Sequence, residues 1–137
     1  RDVLYLNDIN PLAQLPGRGL IVYGDKTLHP EASALDRINV ARLIVFLRRQ
    51  LDQIAQPFLF ELNTESTRNA VQSVFERFLA DLIALEAIND FVVVCDETNN
   101  TPTRIDRNEL WVDIAIEPTK SINFIFIPLR IRNTGEL

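Results

Sequence analysis

The chain reads as an α/β domain, with a mixed β-sheet flanked by two main helices in the order strand–helix–strand–helix–strand–strand–strand. Three observations predict this class. Two long segments carry apolar residues at helical spacing. Short apolar runs at residues 20–23, 58–62 and 91–95 and a strictly alternating run at 110–117 have strand character. Residues 121–137 begin with a further apolar β-type run, Ser-Ile-Asn-Phe-Ile-Phe-Ile. With 137 residues, 47% of them apolar and 24% charged, the chain has the size and composition of one domain with its own core, residues 1–137.

Residues 1–18 read as an irregular entry, because Asn10-Pro11 and Pro16-Gly17-Arg18-Gly19 are rich in breakers. Residues 20–23 (Leu-Ile-Val-Tyr) form a short buried strand stopped by Gly24-Asp25, and a polar loop follows. Asn39 is the expected N-cap of the first helix. Its apolar face consists of Val40, Leu43, Ile44, Leu47, Leu51 and Ile54, and Pro57 closes it. Residues 58–62 form the second strand. Asn63 or Thr64 then caps a longer helix over residues 64–88, with Val71, Val74, Phe75, Phe78, Leu82 and Leu85 as its apolar stripe. Asn89-Asp90 ends that helix.

Residues 91–95 (Phe-Val-Val-Val-Cys) are apolar without alternation, as in a strand covered on both sides. Residues 96–107 form a polar loop. In residues 110–117, Leu110, Val112, Ile114 and Ile116 point one way and Trp111, Asp113, Ala115 and Glu117 the other, as in a half-buried antiparallel strand. Helices between the early strands imply crossovers and parallel pairing there. The run from Ser121 to Ile131 is apolar on both faces, an aggregation hazard unless another strand or a neighbouring molecule covers it. Residues 132–137, polar and glycine-containing, read as a flexible or edge-contacting end.

The chain is poor in reactive constellations. Pro16-Gly17-Arg18-Gly19 precedes a strand, whereas phosphate-cradling glycines follow a strand and open a helix, so it reads as a turn. Asp96, Glu97, Asp106 and Asp113 cluster in sequence, but nothing sets two carboxylates in contrasting environments across a substrate. His29 and Cys95 are the only residues of their type, and Cys95 lies inside an apolar strand. No catalytic, cofactor-binding or metal-ligating residue is predicted. The rival reading is a small α/β enzyme or ligand-binding domain that uses the loop from Asp96 to Asp106. A net charge of −5 argues against a nucleic-acid surface. No apolar run reaches the roughly 20 residues of a membrane span. The first helix is basic (Arg37, Arg42, Arg48 and Arg49 against Asp52). The second is acidic (Glu65, Glu76, Asp81, Glu86 and Asp90 against Arg68 and Arg77). These faces are either solvated or complementary contacts in a packed assembly. The chain starts at Arg1 and holds no methionine, so an excised piece of a longer protein is expected.

Several segments are familiar in order. Asn7-Asp-Ile-Asn-Pro11 and Leu15-Pro-Gly-Arg-Gly-Leu-Ile-Val-Tyr-Gly24 resemble the N-x-I-N-P and F-P-G-R-G-I-V-V-W-G-A-R-T-L region of contractile tail sheath proteins of bacteriophages and related injection systems. Asp25-Lys-Thr-Leu28 continues the match, as do Ile38-Asn-Val-Ala-Arg-Leu43, Phe60-Glu-Leu-Asn63, Val94-Cys-Asp-Glu-Thr98 and Pro118-Thr-Lys-Ser-Ile-Asn-Phe124. Leu15 stands where the family has Phe, Tyr23 where it has Trp, and Asp25-Lys26 where it has Ala-Arg.

The resemblance covers the family's C-terminal domain and lacks its outer domains and N-terminal arm. It implies a non-enzymatic, self-associating subunit of a helical sheath around an inner tube protein, without nucleic-acid or membrane binding by this domain and without a cofactor. The implied location is the virion tail, with the host cytoplasm during assembly. It implies that residues 121–137 are an exchanged arm whose Ser121, Ile122, Asn123, Phe124, Ile125, Phe126, Ile127, Leu129 and Ile131 pair with a neighbouring subunit. It implies that the longer helix faces the tube through Arg68, Gln72 and Glu76.

Overall fold

The computed structural model describes residues 2–130. Its elements are α1 (Asp2–Leu6), β1 (Leu12–Leu15), β2 (Gly19–Val22), α2 (Ile38–Ala55), α3 (Glu65–Ala84), β3 (Ile88–Val94), α4 (Pro102–Asp106) and β4 (Asp113–Pro118). The class is α/β with two main helices, as the sequence predicts, and the helices and strands follow in a consistent order. The pairing differs from expectation. Both strand pairs are antiparallel, β1 with β2 and β3 with β4, each a separate two-stranded sheet.

The core lies where α2 and α3 meet one face of the β3–β4 hairpin. Leu47, Val71, Phe75, Leu79, Leu82, Ile88, Val93 and Cys95 are buried together, with Leu43, Ile44, Leu51, Phe78, Phe91, Val112, Ile114 and Ile116 packed at its margin. Leu79, absent from the expected stripe, is its most enclosed aliphatic residue. Val74 and Leu85, expected within the stripe, are 37% and 75% exposed.

α2 begins one residue before the expected Asn39, and no side chain caps it. The N–H of Ile38, one of the orphan donors of the first turn, donates instead to the Asp25 carbonyl at 2.7 Å. Asn39 donates its amide to the Thr119 carbonyl, 80 residues away in sequence. Thr64 does cap α3, its hydroxyl accepting from Thr67 N–H. α3 stops at Ala84, and Glu86 takes a left-handed conformation (φ 58°) that lets Ala87 N–H reach the Leu82 carbonyl. Asn89 and Asp90 therefore lie in β3 and do not end the helix.

Three further expectations are corrected. Residues 58–62 are not a strand. Pro57 sits in a one-turn 3-10 helix, Gln56–Phe58, and Phe60 adopts a positive φ of 70° with its side chain bare. No strand separates α2 from α3, and the strands on either side of the two helices do not pair with each other, so no parallel crossover forms among the described residues. Residues 20–23 are not buried, since Leu20 and Val22 are 69% and 61% exposed. They belong to a hairpin whose first strand, β1, falls in the stretch expected to be irregular, as does α1. Gly17 and Gly19, both at positive φ, turn the chain between its strands. Finally, β3 is covered on one side only. A register shift between Ile88 and Asp90 puts Ile88, Phe91 and Val93 toward the helices and leaves Val92 57% exposed.

Candidate functional site

The longest unpartnered stretch is the segment after β4. Its root is firmly held. The Thr119 hydroxyl donates to the Glu86 carbonyl at 2.8 Å. Ser121 donates to the Asp25 carboxylate, and Asn123 donates to the same carboxylate at 2.8 Å. Arg37 Nε donates to Asn123 Oδ1 at 3.0 Å and lies 3.8 Å from Asp25. Phe124 meets the Tyr5 ring edge-on, centroids 6.3 Å apart, and Phe126 stacks on Phe124. Lys26 fixes Tyr5 in turn. Its ammonium lies 4.1 Å from the ring centroid, donates to the Tyr5 carbonyl and pairs with Asp8.

Burial raises the Asp25 pKa, but the hydrogen bonds from Ser121 and Asn123, with the Arg37 charge, outweigh it and hold the carboxyl below its ordinary value. From the sequence Asp25 does no more than help stop the strand at residues 20–23. No local sequence signal links it to partners about a hundred positions later. An open groove of about 390 Å³ runs beside this root, lined by Ser33, Asp36, Arg37, Lys120, Ser121 and Asn123.

The apolar side chains of the segment are nonetheless largely bare. Ile122, Phe124, Ile125, Phe126, Ile127 and Leu129 are 66–88% exposed. None of residues 119–130 is in a strand or β-bridge among the described residues. Among the described residues the expected final strand is therefore unpaired, and Ile131 and residues 132–137 lie outside them. Among the described residues each strand of the β3–β4 hairpin has one neighbour, so both outer edges are open there.

The loop from Asp96 to Asp106 has the opposite character. Asn99 and Asn100 are buried. Asn99 donates to the Val94 and Trp111 carbonyls and to the Asp113 carboxylate, and accepts from Asp96 N–H. Asn100 accepts from Trp111 N–H and donates to the Asp96 and Trp111 carbonyls. Arg104 sits 3.9 Å from the Trp111 ring centroid. Hydrogen bonds from the Thr98 hydroxyl and backbone hold the Asp96 carboxyl below its ordinary range. These polar groups are spent on one another and on the backbone, bracing the β3-to-β4 connection around α4. Cys95 below is fully buried, and that burial raises its thiol pKa. Among the described residues no three His, Cys, Asp or Glu side chains cluster as a metal site.

Of the three predicted tube-facing residues, Arg68 is buried and donates to Asn63 Oδ1 at 3.0 Å. Gln72 and Glu76 lie one and two turns further along, half-buried and joined by a 2.8 Å hydrogen bond.

The family model of the phage tail sheath C-terminal domain matches residues 31–132, from the turn before α2 into the bare segment. The chain belongs to this family. The tail sheath protein of Vibrio phage KVP40 is 48% identical over 91% of the chain. That of Enterobacteria phage T4 is 42% identical over 98% of the chain. The chain spans about a fifth of their length (19% and 20%). The fold matches the sheath complex of the extracellular contractile injection system PVC in its contracted state, with a TM-score of 0.85 and 19% identity over 95% of the chain and 40% of that one. It also matches the contracted helical sheath of the anti-feeding prophage, with a TM-score of 0.80 and 22% identity over 90% of the chain and 36% of that one. The family match takes in α2, α3, both strands of the β3–β4 hairpin and the root of the bare segment; α1 and the β1–β2 hairpin precede it.

Proposed function

We propose that residues 1–137 are a single domain of a contractile tail sheath subunit, whose residues 121–137 act as an exchanged arm. The subunit polymerises around an inner tube, and contraction of the polymer drives that tube through the target cell envelope. The observation that carries this reading is an arm tied down at Ser121 and Asn123 but bare from Ile125 to Leu129, in a chain whose β3–β4 edges are open. An extended apolar segment added to a neighbour's open edge gains backbone hydrogen bonds and covers its side chains at once. The tail sheath relatives and the likeness to two contracted sheath structures support the same reading.

The energetics fit a polymer. Burying about four large apolar side chains contributes roughly 6–12 kcal/mol. Strand hydrogen bonds add about 0.5–1.5 kcal/mol each. Ordering about ten residues costs on the order of 10–20 kcal/mol. One exchange is close to balance, and many in a lattice are strong through effective concentration.

Gln72 and Glu76 on α3 are the side chains offered to the tube, with Arg68 supporting their turn from beneath. The work is mechanical rather than enzymatic, which the self-satisfied loop from Asp96 to Asp106 supports. The site of action is the virion tail, after assembly in the host cytoplasm. No contact with nucleic acid or membrane is needed.

Deleting residues 121–137 from the protein expressed from its complete reading frame tests the arm. The expected result is folded, unassembled subunits by electron microscopy and light scattering. Tubes of normal helical order would sink the idea.

A further inference from the structure

Two exposed faces of the domain carry opposite charge and matching form, and neither is used by the arm. On α2, Ile38, Arg42, Val45 and Arg49 recur at intervals of four, three and four, one outward stripe on the side away from Val40 and Leu47. Val45 is 68% exposed between the two arginines. On the outer face of the β3–β4 hairpin, opposite the helices, Val92 is 57% exposed beside its partner Ala115, with Asp90, Asp113 and Glu117 around them. Asp90 and Glu117 stand directly opposite each other in the register, a like-charge pair that destabilises a sheet.

None of the ion pairs among the described residues involves these groups; those formed are Lys26–Asp8, Arg37–Asp25 and Arg37–Asp36. Arg42 and Arg49 stand about 10 Å apart along the helix axis at 1.5 Å per residue. Asp113 and Glu117 stand about 14 Å apart along the strand at roughly 3.4 Å per residue. Arginine side chains readily span that difference.

We infer that the basic stripe of α2 docks on the acidic outer face of the β3–β4 hairpin of a second copy of this chain, Val45 against Val92 and Ala115. This rests on the reading that the chain polymerises, and it assigns a contact separate from strand exchange. The two faces differ, so the contact is head-to-tail and propagates from copy to copy. The arginines neutralise the Asp90–Glu117 repulsion, and opposed charges fix the register of approach.

Charge reversal in the protein from its complete reading frame tests the contact. One variant carries Arg42→Glu with Arg49→Glu, the other Asp90→Arg with Glu117→Arg, and circular dichroism checks that each is folded. Each alone is expected to raise the concentration needed for assembly by about tenfold or more. Either variant alone has two faces of the same sign. An equal mixture of them can alternate, and a chain carrying all four changes is complementary again; both are expected to assemble. If the mixture and the fourfold variant stay as unassembled as the folded single-face variants, the contact is wrong while the arm stands. If the unaltered protein itself does not assemble, both readings fall.

Discussion

Residues 71–82 and residues 122–129 hold equal stocks of large apolar side chains. The first has Val71, Val74, Phe75, Phe78, Leu79 and Leu82; the second has Ile122, Phe124, Ile125, Phe126, Ile127 and Leu129. Four of the first six are buried, and all of the second six are exposed. The difference is geometric. Helical spacing gathers the first set mostly on one side, where α2 and the β3–β4 hairpin together can seal it. In the second set consecutive apolar residues project to alternate sides of an extended chain, so no single layer can cover them. Such a segment needs a sheet edge beside it and cover on both faces, and this chain provides only its anchorage. Equal hydrophobicity thus yields a core in one place and a connector in the other.

The comparison breaks first at Leu79. It is fully buried at the centre of α3, so Leu79→Ala should cost about 2–5 kcal/mol through lost transfer energy and a residual cavity. A denaturant titration reads this as a lower midpoint at unchanged slope. A loss well under 1 kcal/mol would mean that the α3 stripe is no better packed than the arm.

Asn100→Ala comes next. It leaves the Trp111 N–H without its acceptor, at about 1–3 kcal/mol, while the Asp96 carbonyl keeps only the bond from the backbone N–H of residue 100. The predicted loss is of stability, since the network ties together β3, α4 and the start of β4. A variant as stable as the parent would return the loop to the rival reading, as polar groups held for a ligand rather than for the fold.

These two sites also mark what the sequence could reveal. The helices were legible because their periodicity runs over four turns or more and because Thr64 is a good cap. The apolar nature of the arm was equally plain. β1 is hidden in the sequence because Pro11 and Pro16 at its flanks are loop signals, although short apolar runs on either side of Pro16-Gly17-Arg18-Gly19 are also a hairpin signal. Thr101-Pro102 likewise announced α4 through proline at the first helical position. Residues 58–62 have strand-forming side chains, but the 3-10 turn at Pro57 and the positive φ at Phe60 override them. The burial of Asn99 and Asn100, and the joining of Asp25 to Ser121 and Asn123, depend on contacts 11 to 98 residues apart, which no local pattern encodes.

A smaller effect belongs to the arm root, and it depends on pH. Asp25 has a lowered pKa in the folded chain, through its bonds from Ser121 and Asn123 and the charge of Arg37, itself shared with Asp36. Its contribution is therefore complete above the ordinary aspartate value, near 3.9, and is lost as pH falls through the lower folded value. The ring-to-ring nuclear Overhauser effect between Tyr5 and Phe124 should persist at neutral pH and fade in that acid window. Asp25→Asn should weaken it at every pH and remove the titration. A contact that ignores both changes would show the aromatic pair alone holding the root.

The smallest effect on folding is expected at the arm's apolar tip. Phe126 and Ile127 are 88% and 82% exposed, so Phe126→Ser with Ile127→Ser removes almost no buried surface from the isolated chain. Its stability should stay within the few tenths of a kcal/mol usual for surface substitutions, leaving the thermal midpoint almost unmoved. The same pair of changes in the assembling protein removes apolar area that a neighbour would bury, and assembly should fail while folding is untouched. Leu79→Ala does the reverse, lowering stability with no direct loss of a contact between copies. If the tip variant instead lowers the thermal midpoint of the isolated chain by several degrees, the arm is packed on its own domain, and the contrast between core and connector dissolves.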